Sequence, residues 1–156
     1  MTYARGSDGA RAASGGGLPT RAAEARSLVH ALLLRTGLGE GPPHEAVLAD
    51  ALLLTSELVT NALRHGGGVT GFSAHVVDGS LVVTVADAST QVPTARPPRA
   101  DFVAGGYGWP LVCRLAGTPD VIVTATGKTV RAVLPLHPSG AAPPAPEPRP
   151  AGPLAG

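Results

Sequence analysis

With 156 residues and 44% hydrophobic content, the chain has the length of one ordinary domain and apolar material for one continuous core, which argues against a second folded domain. Twelve Lys and Arg against eleven Asp and Glu leave a formal charge of +1, so direct binding of nucleic acid through its phosphates is not expected. An aromatic content of 3% excludes a base-stacking platform and an aromatic membrane belt, and the single Cys113 excludes an intrachain disulfide and fits a reducing cytoplasm.

Residues 1–17 are rich in Gly and Ser and lack an apolar segment, so they read as a disordered lead-in rather than a secretion signal. The folded part is expected over residues 18–136, and residues 137–156, dominated by Pro, Ala and Gly, read as a flexible tail. The longest aliphatic run, residues 46–54, is interrupted by Asp50, so no membrane span is expected and the protein reads as soluble and cytoplasmic.

Over residues 20–36 the apolar positions Ala25, Leu28, Val29, Leu32 and Leu33 recur at three- and four-residue spacing, which predicts an amphipathic helix closed by Gly37. Pro42-Pro43 opens a second helix through Val47, Leu48, Ala51, Leu54, Leu58 and Ala62, ended by Gly66-Gly67-Gly68. Two alternating segments follow, residues 69–77 and 81–86, joined by Asp78-Gly79, a dipeptide suited to the positive φ angles of a tight hairpin. A polar, Pro-rich connection leads to Gly105-Gly106-Tyr107-Gly108, and residues 109–116 read as a short helix with Pro110 in its first turn. A last strand pair, residues 121–124 and 129–134, turns around Thr126-Gly127. The order predicts an α+β fold, a two-layer sandwich with helices on one face of a mostly antiparallel mixed sheet.

The second helix carries the chemistry. At about 100° per residue, Glu57, Asn61 and Arg64 share one polar arc beside the apolar stripe. A carboxylate and a carboxamide one turn apart offer an oxygen for a hard cation and a base for a nucleophile; a solvated helical face is the alternative reading. Asp87 ends a strand aliphatic enough to be central, and is expected to be exposed there and able to accept a hydrogen bond from an amine such as adenine's. Gly105, Gly106 and Gly108 precede a helix whose N-terminal amides suit phosphates. A dinucleotide fingerprint fails because Leu111 stands at its third glycine, and a P-loop fails because Ile122 stands at the upstream glycine before Gly127-Lys128-Thr129.

Taken in order, Ser56-Glu57-Leu58-Val59-Thr60-Asn61-Ala62-Leu63-Arg64-His65-Gly66, Val85-Ala86-Asp87, Gly106-Tyr107-Gly108-Trp109-Pro110-Leu111-Val112 and Gly127-Lys128-Thr129-Val130 resemble the boxes of the GHKL, or histidine kinase-like, ATPase superfamily. Within it the chain is most similar to the single-domain anti-sigma factor serine/threonine kinases and their actinobacterial relatives. The resemblance implies a Bergerat-type fold holding ATP and Mg²⁺ between helices and sheet. It implies Asn61 as Mg²⁺ ligand, Glu57 as catalytic base, Asp87 as acceptor of the adenine amine, Gly106 and Gly108 as phosphate-loop glycines, and Thr129 as support for the base. Arg64, His65 and Lys128 are secondary assignments. The implied activity is phosphorylation of an antagonist protein on Ser or Thr, the implied partners are a sigma factor and that antagonist, and a homodimer is compatible with the resemblance. A nucleotide-sensing or nucleotide-free protein-binding module without kinase activity is the alternative. The family's adenine box continues with glycines, whereas Ala88-Ser89-Thr90 follows Asp87 here.

Overall fold

The structure is a computed structural model that describes residues 11–13, 17–38, 41–94 and 108–137. In chain order it contains β1 (Arg11–Ala13), α1 (Ala22–Arg35), α2 (Pro42–His65), β2 (Val69–Val77), β3 (Ser80–Asp87), α3 (Gly108–Ala116), β4 (Asp120–Thr124) and β5 (Gly127–Pro135). The residues 14–16 and 95–107, most of residues 1–17 and the tail beyond His137 lie outside the described residues, as therefore do the expectations placed on them.

The helices start and stop where local chemistry directs. Just before α1 the Thr20 N–H donates to Glu24 Oε2 at 2.7 Å, tying the incoming chain to the first turn of the helix. That backbone donor holds the exposed Glu24 carboxyl below the usual glutamate range. Thr36 caps the C-terminus of α1 and Gly37 follows at φ 71°, the left-handed conformation that lets the chain leave the helix. Pro42, with no N–H to satisfy, opens α2, and the Gly66 and Gly68 amides both donate to the Ala62 carbonyl at its end, each at 3.0 Å.

The five strands lie in the order β1-β2-β3-β5-β4, and every neighbouring pair is antiparallel. The expected α+β sandwich with a mostly antiparallel sheet is borne out, and among the described strands the pairing is antiparallel throughout. The connection from β3 through α3 does bring β4 back along the direction of β3, but β5 inserts between them, so no parallel pair forms among the described strands. Residues 11–13, assigned by composition to the unstructured lead-in, extend the sheet by pairing with residues 74–76 of β2. The β2–β3 turn is the two-residue Asp78-Gly79 hairpin, with φ of 48° and 67°.

The helices cover one face of the sheet. Ala25, Val29, Leu32 and Leu33 of α1 meet Val47, Ala51, Leu54, Leu58, Val59 and Ala62 of α2, and both stripes close on Ala74, Leu81, Val83, Val85, Val130, Ala132 and Leu134 of the strands. The buried Thr55 hydroxyl returns to the Ala51 carbonyl at 2.7 Å, so this polar side chain costs the core no unpaired group. By length and composition α2 is apolar enough to cross a membrane, but its apolar stripe forms the centre of this core. The same packing turns its polar arc toward the edge of the sandwich, where α3 begins.

Candidate functional site

Glu57 and Asn61 lie one turn apart on α2, both half-buried. Opposite them stands Gly108, the first residue of α3, which is buried. A Cβ on Gly108 would lie 2.6 Å from Glu57 Oε2 and 3.2 Å from Asn61 Oδ1, so a side chain here would push these two polar groups aside, and glycine lets the α3 backbone lie against them. The structure thus brings together three residues that the sequence proposed from two separate segments. The first-turn amides of α3, which have no partner within the helix, and the positive end of its dipole lie next to a carboxylate and a carboxamide oxygen. Trp109 packs half-buried against the core and anchors this helix start. Gly106 and Tyr107 lie outside the described residues, whereas Arg64 and His65 are exposed on the last turn of α2.

The second part of the site forms where β3 ends beside the start of β5. Asp87 is 6% exposed and Lys128 8% exposed, which corrects the expectation of a solvent-facing acid at the strand end. The Lys128 ammonium contacts both carboxylate oxygens, Oδ1 at 2.9 Å and Oδ2 at 2.8 Å, and the Ser89 N–H donates to Oδ1 at 2.9 Å. Burial is tolerated because the charge is paired and its lone pairs are engaged.

Two glycines shape the surroundings of Asp87. A Cβ on Gly66, at the end of α2, would overlap the Asp87 side chain, and a Cβ on Gly127 would overlap the Asp87 carbonyl oxygen. The Ala88 N–H also donates to the Gly66 carbonyl at 2.8 Å, which ties the end of β3 to the end of α2. The run Gly66-Gly67-Gly68 therefore stops the helix and also makes space for the acid.

Thr129 does not join this group. In the β3–β5 register Asp87 faces Lys128 and Ala86 faces Thr129, and successive strand residues point to opposite faces. Lys128, Val130, Ala132 and Leu134 point to the helix-covered face and are buried, so Thr129 projects from the other face. The residue beside Asp87 is Lys128, which sequence reasoning ranked below Thr129; the available signal was the alternation of Val130, Ala132 and Leu134, which continues back to Lys128.

The chemistry of the donor set fits magnesium-bound nucleoside triphosphate at the α2–α3 end. Among the described residues no three His, Cys, Asp or Glu side chains converge as a self-contained metal site. Magnesium suits such a place because it is commonly held by one or two protein oxygens together with phosphate oxygens and water. Asn61 offers one such oxygen, with the Glu57 carboxylate beside it and the α3 backbone at Gly108 close to both.

The family model of the histidine kinase-like ATPase domain matches residues 17–134. No curated protein sequence matches the chain. Among solved structures, the chain is similar to the Erythrobacter litoralis EL346 blue-light activated histidine kinase, with 24% identity and a TM-score of 0.45 over 72% of this chain and 42% of that one. It is likewise similar to the histidine kinase domain from the same Erythrobacter litoralis protein, with 24% identity and a TM-score of 0.45 over 78% of this chain and 66% of that one. The chain therefore spans less than half of the first structure and just under two thirds of the second.

Proposed function

The chain belongs to the histidine kinase-like ATPase family, and we propose that it is a cytoplasmic ATP-binding regulator that holds Mg-ATP between α2 and α3 and phosphorylates an antagonist protein on Ser or Thr, thereby controlling a sigma factor. The observation that carries this reading is the meeting of Glu57, Asn61 and Gly108 at one place. Asn61 would hold Mg²⁺, and Glu57 would accept the proton of a Ser or Thr hydroxyl presented by the protein substrate. The amides at the start of α3 would face the phosphates, and Gly108 would keep that approach free of a side chain. Bound Mg-ATP supplies the transferable phosphoryl group and the charge neutralisation that its transfer requires. Asp87 is the candidate reader of the base. The sigma factor and antagonist are inferred from the resemblance of the sequence boxes.

The alternative is a nucleotide-sensing module that binds nucleotide without transferase activity. Transfer of ³²P from γ-labelled ATP to the antagonist separates the two. Glu57→Gln is expected to slow transfer by about 10²- to 10⁴-fold, the usual contribution of a general base. The affinity of that variant for Mg-ATP should stay within about threefold of the native value, a change of under ~1 kcal/mol. Absence of transfer by the native protein with nucleotide bound would leave the sensing module as the function, and undiminished transfer by Glu57→Gln would remove Glu57 from the base role.

A further inference from the structure

We propose that β4 is a self-complementary sheet edge through which two copies of this chain pair antiparallel, joining their sheets across a two-fold axis at Ile122. β4 ends the strand order, and among the described strands none pairs with its outer side. Sheet edges are usually guarded by Lys, Pro, a bulge or an inward-pointing charge. β4, Asp120-Val121-Ile122-Val123-Thr124, has none of these along its middle, and its register on β5 is uninterrupted. Ile122 is 62% exposed and Val123 43% exposed, so β-branched apolar side chains line this open edge. The opposite edge, β1, is guarded by its length of only three residues.

The backbone fixes the register. Thr124 and Gly127 close the two-residue turn Ala125-Thr126 as a hydrogen-bonded pair. Alternation along the ladder then turns the N–H and C=O groups of Thr124, Ile122 and Asp120 toward β5 and those of Val121 and Val123 outward. An antiparallel partner centred on Ile122 sets Val121 against the partner's Val123, and Val123 against the partner's Val121, which forms four backbone hydrogen bonds. Between them the two Ile122 residues make the non-hydrogen-bonded pair, with Cα atoms about 4.5 Å apart and side chains meeting on the face away from the helices. Asp120 falls opposite the partner's Thr124, so no like charges oppose one another, and its carboxylate is already paired with Arg131 at 3.2 Å within its own chain. A strand that satisfies these conditions against itself is its own complement, which favours a second copy over an unrelated strand.

Sedimentation equilibrium of the full chain over about 1–100 μM tests this, with Ile122→Lys and Ile122→Glu studied alone and mixed. It is made without nucleotide, so its outcome is independent of the ATP reading. The native chain is expected to double its mass across that range. Each variant alone should self-associate at least about tenfold more weakly, because two like charges would meet on the axis. An equimolar mixture of the two should recover the dimer, since Lys then faces Glu. Ile122 is exposed in the single chain, so neither substitution disturbs the core. A native chain that stays monomeric throughout would overturn the proposal and leave β4 open to a strand of another protein. Dimerisation that persists in both variants, or that their mixture does not recover, would overturn it as well.

Discussion

Asp87→Ala is expected to destabilise the fold by about 3–5 kcal/mol, the cost of leaving one partner of a buried ion pair without the other. The Lys128 ammonium, 8% exposed, would lose both of its close oxygens, and the junction of β3 and β5 would lose its polar tie. A domain of this size has a total stability of about 5–15 kcal/mol, so urea unfolding should register a large fall in midpoint. The double variant Asp87→Ala, Lys128→Met should recover most of that loss, because replacing both charges removes the unpaired group. A loss below about 1 kcal/mol in the single variant, the range of exposed pairs, would mean that the pair is solvated in solution.

Leu54→Ala is expected to cost about 2–5 kcal/mol through lost apolar burial and the cavity left behind. Leu54 is fully buried in the middle of α2, in the core cluster shared with the stripe of α1 and the central strands. Because Leu54 lies one turn from Glu57 and Leu58, the same substitution loosens the seat of the polar arc. Urea unfolding measures the effect, and a cost under about 1 kcal/mol would show that the α2 stripe is not packed as described.

The contrast between these two positions marks how far the sequence could be read. Leu54 was legible because helical periodicity is local: three- and four-residue spacing, bounded by Pro42-Pro43 and the Gly66 run, fixed both the helix and its buried side. The same local geometry placed Glu57 and Asn61 on one arc, and Asp78-Gly79 identified its hairpin through the φ values that such a turn requires. The Asp87–Lys128 pair was not legible, because it joins residues 41 apart and depends on the register of β5 against β3. In a strand an offset of one residue changes the face, which is why Thr129 was preferred where Lys128 stands. β1 was missed for another reason: residues 11–13 join the sheet through backbone pairing with β2, which leaves no trace in composition. The position of β5 between β3 and β4 could not be read either, since strand order is a property of the whole sheet.

The site itself rests on the approach of Gly108 to Glu57 and Asn61. Calorimetric titration of the full chain with ATP, with and without Mg²⁺, for the native protein and Asn61→Ala, tests it most directly. Magnesium-dependent binding that weakens about 10- to 100-fold in Asn61→Ala, as loss of a group holding the metal entails, is the expected result. No binding of Mg-ATP at millimolar concentration by the folded native protein, or binding that Asn61→Ala leaves unchanged, would contradict a nucleotide site between α2 and α3.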